Sequence, residues 1–132
     1  MAQIDRFEDL IAWQKARELH RAVHQLTRQF DRSRRLPITD QLQRAPLSVM
    51  SNIAEGFERD GVAEFRNFLT IAKGSCGETR SLLYAAFDAE LIDDETLVRL
   101  KIQVEETSRV IAGLRNHVEA KLKRQRLKQP TV

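Results

Sequence analysis

Cysteine, proline, glycine and aromatic residues are all scarce in this chain. Its 132 residues include one cysteine, three prolines and five glycines, and aromatics make up 6%. The lone cysteine, Cys76, excludes an intramolecular disulfide and is typical of a reducing, cytoplasmic environment. Because proline and glycine interrupt helices, their scarcity favours long helices over sheets and turns. We therefore expect a cytoplasmic protein rich in helix.

Long hydrophobic runs are also missing. No window holds about 18 apolar residues free of charge, so the sequence predicts no transmembrane helix and no membrane partner. The N-terminal residues carry acids early and lack an apolar core, which argues against a signal peptide. Apolar residues make up 42% and charged residues 31%, the mix of an ordinary soluble domain.

An excess of positive charge is confined to the C-terminal end. The formal net charge is +3, yet removing five basic residues after Glu119 from the total of 22 leaves 17 bases against 19 acids. A basic tail of this kind can contact phosphate or another anionic surface. The simpler interpretation is a solvated helix end whose cations suit the helix dipole. The five residues are Lys121, Lys123, Arg124, Arg126 and Lys128.

Hydrophobic periodicity predicts four helices, because apolar residues recur at three- and four-residue steps. Thr39 and Asp60 are the expected caps of the second and third helices. Pro46 lies inside the second helix, where it predicts a kink or a late start. The predicted spans are 9–30, 39–57, 61–89 and from 93 onwards.

Short connections after the second and third helices predict antiparallel neighbours. The sequence therefore predicts an all-α, up-down-up-down antiparallel four-helix bundle. A single domain is expected over residues 1–124, since the length suits one hydrophobic core. The remaining basic tail, residues 125–132, is predicted to be disordered.

The apolar surface of helices two and three is broader than a solitary bundle needs. In helix three it spreads over roughly 200°, at about 100° per residue, whereas a bundle helix buries an arc somewhat over about 100°. Excess apolar surface is usually buried by association. We therefore predict a homo-oligomer, in which a charge at Leu83 weakens assembly. The alternative is a small-domain surface with scattered apolar residues.

Three ordered segments resemble a known bacterial family. Residues 9–16 (DLIAWQKA) are similar to its opening, and 41–45, 48–49 and 51–56 to its central signature. Phe65, residues 68–69 and 71–75, and Glu78 are similar to the signature of its third helix. The family is that of the 23S rRNA intervening-sequence proteins, and the resemblance extends over nearly the whole chain. The chain departs from the family pattern at Pro46, Cys76 and Gly77.

The resemblance implies a four-helix bundle that assembles into a ring-like homopentamer. It also implies kinship with the accessory protein of diversity-generating retroelements, a pentameric bundle that works with a reverse transcriptase and nucleic acid. Some members are encoded within insertions in large-subunit rRNA genes, but most occur elsewhere, and the family has no established biochemical role. The expected partners are thus the chain itself, RNA or DNA, and a further protein.

Small and polar residues form a motif in helices two and three. Its members are Ser48, Asn52, Glu55, Gly56, Gly74, Ser75 and Gly77. The low bulk around Gly74 and Gly77 predicts close approach of two backbones, and Asn52 and Glu55 are interpreted as fixing helix register or a subunit contact. The alternative is a Glu55–Glu78 carboxylate pair for acid–base chemistry, although no histidine accompanies it.

Other chemistry-bearing residues lack the partners that a reaction needs. His20 and His24 are one helical turn apart, but zinc takes three or four ligands and no Glu-x-x-His motif occurs. Cys76 has no placed histidine and is interpreted as a packing residue. We therefore predict no metal, no cofactor, no catalytic residue and no enzyme activity.

Two basic stripes are the best candidates for a binding site. In an oligomer they would repeat once per subunit and bind phosphate backbone without reading sequence. The alternative is ordinary surface charge, partly paired with Glu18, Glu64 or Glu78. The predicted function is a non-enzymatic oligomeric scaffold or adaptor that binds RNA or DNA; the alternative is a protein–protein adaptor without nucleic acid. The stripes are Arg17, Arg21 and Arg28 on helix one, and Arg66, Lys73 and Arg80 on helix three.

Overall fold

The part of the chain that the computed structural model describes, residues 3–31 and 36–128, is all-α and contains no strand. A 3-10 helix at Phe7–Asp9 precedes the first α-helix. The four helices are α1 (Ile11–Arg28), α2 (Pro37–Glu58), α3 (Val62–Asp88) and α4 (Asp94–Lys128). The predicted all-α class and the four predicted helices are confirmed.

The starts of α2 and α3 depend on backbone geometry, not on the expected side-chain caps. Leu36 is extended and Pro37 opens α2, at a position where its missing N–H costs little. The predicted cap at Thr39 is therefore wrong. Helix α3 begins after the extended residue Gly61 without a side-chain cap, so the predicted cap at Asp60 is wrong as well.

Helix α2 is continuous from Pro37 to Glu58, with Pro46 inside it. The predicted late start at this proline is therefore wrong. Pro46 cannot donate a hydrogen bond to the Leu42 carbonyl, but its ring is buried. The burial of that apolar ring offsets part of the missing hydrogen bond.

Helix α4 begins one residue after the predicted position and is longer than expected. The Asp93 carboxylate accepts a hydrogen bond from the Thr96 N–H at 2.8 Å, which caps the helix. Hydrogen bonding to the side chain of Thr96 and to its backbone lowers the pKa of Asp93. Residues 125–128 continue α4, so the predicted disorder of the basic tail is wrong for them. Residues 129–132 lie outside the described part. Although α4 has 35 residues, none of the helices within the described segments has the apolar stretch needed to cross a bilayer.

All four helices contribute fully buried aliphatic side chains to one hydrophobic core. Helices α2 and α3 run in opposite directions, because Ser48 lies beside Ser75 while Gly56, further along α2, lies beside Phe68, earlier in α3. Helices α3 and α4 are also antiparallel, as shown by the ion pairs Arg66–Glu119 and Arg80–Glu105.

Of the broad apolar surface predicted for helices two and three, Leu47, Ile71 and Tyr84 are exposed in the single chain, whereas Leu83 is not. That side chain is fully buried within the core of the single chain. The expected position of Leu83 at a subunit contact is therefore wrong, and a charge there would disrupt the fold first. Five large apolar side chains on α2, α3 and α4 remain between 43% and 57% exposed, namely Leu47, Ile71, Tyr84, Val98 and Ile102.

Candidate nucleic-acid interface

Helix α1 presents a row of arginines on the side away from its buried residues. Arg17, Arg21 and Arg28 are all exposed, whereas Ala16, Leu19 and Val23 are buried. Steps of four and seven residues keep the three arginines on one face over about 16 Å of helix. That length corresponds to about five base pairs of a duplex at roughly 3.4 Å per pair. The predicted stripe on helix one is therefore a continuous surface, which we call the α1 arginine face.

The charge of the α1 arginine face is not balanced by carboxylates. Within the described residues, none of its three arginines forms an ion pair. Glu18 is the one acid of α1, against four bases. The fourth base, Lys15, pairs with Glu106 of α4 at 2.9 Å. This contact raises the pKa of Lys15 and lowers the pKa of Glu106, and it leaves the arginine face positively charged.

An aromatic ring supports one end of the face. The Arg17 guanidinium carbon lies 5.7 Å from the centroid of the Trp13 ring. Trp13 is itself held edge to face against Phe7 of the 3-10 helix, with centroids 5.2 Å apart. A cation–π contact of this kind orients a guanidinium without removing its charge. Arg17 is thus placed for contact with an anion.

The stripe predicted on helix three has a different environment. Arg66 Nε lies 3.4 Å from Glu119 Oε1, and Arg80 Nη1 lies 3.6 Å from Glu105 Oε1. Lys73 is half-buried in a cleft between α3 and α4 that Glu105 also lines. The stripe therefore faces carboxylates of α4, and its charge is partly compensated. Glu105 and Glu119 could not be predicted as partners from the sequence, because the register between the two helices determines which residues meet.

The polar part of the motif forms a small network between α2 and α3. The hydroxyl oxygens of Ser48 and Ser75 are 3.0 Å apart. Asn52 Nδ2 donates to the Ser48 carbonyl at 2.8 Å and to the Ser48 hydroxyl at 2.9 Å. Every buried side-chain nitrogen or oxygen in the described part has a hydrogen-bond partner. The hydrogen bond between the two helices is thus the Ser48–Ser75 pair, and Asn52 supports it from its own helix through the Ser48 hydroxyl.

The glycines of the motif have two distinct environments. A Cβ at Gly56 would lie 2.5 Å from Phe68 Cβ, so this glycine permits close contact of α2 with α3. A Cβ at Gly74 or Gly77 would meet no atom within 4 Å. The prediction that those two glycines allow close backbone approach is therefore wrong within a single chain. Their smooth, exposed surface is available to another molecule.

The two carboxylates considered for acid–base chemistry lie at different levels of the α2–α3 pair. Glu55 pairs with Arg59 at 3.0 Å, near the end of α2. Glu78 lines a cleft with Arg44 and Ser48, near the middle of α2. The register of the two helices places them about ten residues apart, or about 15 Å along the axis. They do not form a carboxylate pair.

The rings of His20 and His24 stack with centroids 5.9 Å apart. Partial burial lowers the pKa of His20, and the neighbouring His24 adds to this effect. Within the described residues, no group of three or more histidine, cysteine, aspartate or glutamate side chains could hold a metal ion. The structure therefore adds no third ligand to the histidine pair.

Cys76 is buried among apolar neighbours, as expected for a packing residue. Burial raises the pKa of its thiol to about 11, although the nearby Lys73 opposes the shift. Since the thiolate is the nucleophile, a thiol of this pKa is unreactive near neutral pH. The cleft between α3 and α4 that Cys76 lines contains no histidine that could activate the thiol.

Together, the helices and the arginine face define an all-α protein with four helices around one core and a cationic surface on α1. The chain belongs to the 23S rRNA-intervening sequence protein family, whose model matches residues 8–113. This match confirms the resemblance seen in the sequence.

A solved structure has a similar fold. It is a protein of unknown function from the S23 ribosomal protein family of Bacteroides thetaiotaomicron, with a TM-score of 0.73 and 21% sequence identity. The alignment covers 79% of this chain and 97% of that protein. At this identity the likeness concerns the fold alone. No curated protein matches the sequence.

Proposed function

We propose that this protein is a non-enzymatic, homo-oligomeric scaffold that binds the phosphate backbone of RNA or DNA. The observation that carries the proposal is the α1 arginine face, whose three guanidinium groups are exposed and outside any ion pair in the described residues. A guanidinium donates several hydrogen bonds in a planar fork that fits phosphate oxygens. Such contacts position a nucleic acid without reading its sequence.

Assembly would strengthen the binding by repeating the face. Each phosphate contact releases a counterion, so the logarithm of affinity falls with the logarithm of salt by about 0.9 per contact on duplex DNA. A single face offers three such contacts. Linked copies engaging one long nucleic acid gain further affinity from their high effective concentration.

The exposed side of α3 supports self-association. Gly74, Gly77 and Ser81 form a smooth strip there, flanked by Ile71, which is 52% exposed, and Tyr84, which is 43% exposed. Because a Cβ at either glycine would meet no neighbouring side chain or helix within 4 Å in one chain, the strip can accept a helix of a second copy. The up-down-up-down topology and the ring-like pentamer implied by the family resemblance are parts of this proposal. The antiparallel pairs α2–α3 and α3–α4 support the topology.

Two observations favour a binding role over catalysis. Glu55 and Glu78 are separated along the bundle, so they cannot share a proton or a substrate atom. The raised thiol pKa of Cys76 disfavours a nucleophilic role. The scaffold would therefore act by holding a nucleic acid, either alone or for a protein partner.

The test is fluorescence anisotropy of the purified, nuclease-treated full-length protein with labelled mixed-sequence RNA and duplex DNA. We expect binding at about 50 mM salt that weakens steeply towards about 200 mM. Absence of binding to both probes at the lower salt would overturn the proposal. The protein–protein adaptor would then be favoured by the exposed side chains of Leu47, Val98 and Ile102.

A further inference from the structure

We propose that the end of α4 is a second phosphate-binding surface, separate from the α1 arginine face. The inference rests on the proposed nucleic-acid function and adds a site to it. The surface consists of Lys121, Lys123, Arg124, Arg126 and Lys128, all of which are exposed. We call it the α4 basic end.

The α4 basic end extends beyond its neighbouring helix. Arg66 of α3 meets Glu119 of α4, and α3 begins four residues earlier, at Val62. Because the two helices are antiparallel, this start is level with about Lys123. The last buried residue of α4 is Leu122, and every later residue up to Lys128 is exposed. The final helical turns of α4 therefore stand free of the core.

The charges of the α4 basic end are dense and uncompensated. Five cations occur within eight residues, a length of about 12 Å, and no acid follows Glu119. None of the five forms an ion pair within the described residues. At about 100° per residue they cover roughly 220° of the helix circumference. The helix end is therefore cationic on more than one side, as suits a polyanion approaching from different directions.

The helix dipole does not account for the whole cluster. Its stabilisation of cations decays within the last turn of a helix. Lys121, Lys123 and Arg124 lie four or more residues before Lys128, and their mutual repulsion opposes such clustering. Contact with an anionic partner would relieve that repulsion.

A nucleic acid suits the α4 basic end better than a membrane surface. A helix that binds membranes needs an apolar face next to its cations. Leu127 is 80% exposed, but it is the one large apolar side chain exposed in the segment 119–128, since Leu122 is buried. A phosphate backbone needs cations and no apolar face.

The test compares two full-length triple variants with equal loss of charge. The first is Arg124→Gln, Arg126→Gln and Lys128→Gln. The control is Arg44→Gln, Arg99→Gln and Arg109→Gln, which removes exposed cations that form no ion pair in the described part and are scattered over α2 and α4. Glutamine preserves helix propensity. The probe is a labelled mixed-sequence DNA duplex, titrated at several salt concentrations.

We expect the first variant to lose at least about tenfold in affinity at 0.1 M salt and to lower the salt slope by up to about 2.7, which is about 0.9 for each lost contact. The control should lower the salt slope by less than about 0.9, which is the change expected for the loss of one phosphate contact. Equal slopes and affinities for the two variants would overturn the inference. The charge-preserving variant Arg124→Lys and Arg126→Lys should retain wild-type affinity, and a loss there would also contradict it.

Binding by the wild type and by the α1 variant distinguishes a failure of this inference from a failure of the proposed function. If the wild type binds the duplex and the α1 variant Arg17→Gln, Arg21→Gln and Arg28→Gln weakens binding, the function is supported whatever the α4 variant does. If the wild type binds no nucleic acid, both proposals are overturned. Binding to vesicles that contain anionic lipid, without binding to mixed-sequence RNA or to the duplex, would likewise overturn both proposals.

Discussion

Gly56 of α2 and Phe68 of α3 mark the closest approach found for a glycine in the described part of this protein. A Cβ on Gly56 would lie 2.5 Å from Phe68 Cβ and 3.1 Å from Phe65 Cδ1. Phe68 Cβ is bonded directly to the backbone, so it cannot rotate away. The two helices can keep this separation only if residue 56 has no side chain.

Replacement of Gly56 by alanine should therefore destabilise the protein. Forcing a methyl group into a packed contact costs about 1–3 kcal/mol, which exceeds the gain in helix propensity. The control is Gly113→Ala in α4, where a Cβ meets no atom within 4 Å and we expect stabilisation of about 0.5–1 kcal/mol. Urea denaturation measures both changes. A Gly56→Ala protein as stable as the control would contradict the packing described for α2 and α3.

The Ser48–Ser75 hydrogen bond should contribute measurably to the α2–α3 contact. Ser75→Ala removes the bond but leaves Ser48 in contact with Asn52, so we expect a loss of about 0.5–1.5 kcal/mol. A double-mutant cycle with Ser48→Ala isolates the pairwise energy. Strictly additive effects of the two substitutions would show that the pair does not interact.

Ile71 and Leu83 should respond differently to a charge, although both lie on α3. Ile71 is half exposed, so Ile71→Glu should dissociate the proposed oligomer while the helical circular dichroism is retained. Leu83 is fully buried, so Leu83→Glu should cost on the order of 4 kcal/mol or more and abolish cooperative unfolding. Analytical ultracentrifugation and circular dichroism separate the two outcomes.

The matched control for Ile71→Glu is Gln25→Glu, at an exposed position of α1. It should leave the sedimentation behaviour unchanged. A wild-type protein that is monomeric at micromolar concentration would contradict the proposed assembly.

His20 should make the protein less stable as the pH falls. Its pKa is lowered in the folded state, chiefly by burial and also by His24, so the unfolded chain binds the proton first. The contribution of neutral His20 to stability is complete above the unfolded pKa of about 6.5 and is lost as the pH falls through the lower folded pKa. Between pH 7.5 and 5.5, the Tm of the wild type should fall more than that of His20→Gln. An equal fall in both proteins would assign the pH dependence to other groups.

The helices could be predicted from the sequence because each carries its own signal. Apolar periodicity located all four, and Asp93 stands next to the start that it caps. The start of α2 at Pro37 lies two residues before the predicted position and that of α3 at Val62 one residue after it, because extended backbone geometry replaced a side-chain cap. The environment of Gly56 could not be read from the sequence, since it depends on which residue of α3 lies opposite.

The two basic stripes also show that the sequence does not reveal which residues of neighbouring helices lie opposite each other. Both follow helical spacing, and nothing in either stripe distinguishes the two. Only the register of α3 against α4 brings Glu119 to Arg66 and Glu105 to Arg80. Among the described residues no carboxylate forms an ion pair with the α1 arginine face, so the structure separates two stripes that the sequence presents as equivalent.

The measurement that tests the central claim most directly compares these two stripes. The salt dependence of duplex affinity would be measured for Arg17→Gln, Arg21→Gln and Arg28→Gln and for the charge-matched variant Arg66→Gln, Lys73→Gln and Arg80→Gln. We predict that the first variant lowers the slope by about 2.7, at about 0.9 per contact, and that the second lowers it by less than about 0.9. Equal slopes for the first variant and the wild type would contradict the assignment of nucleic-acid binding to α1.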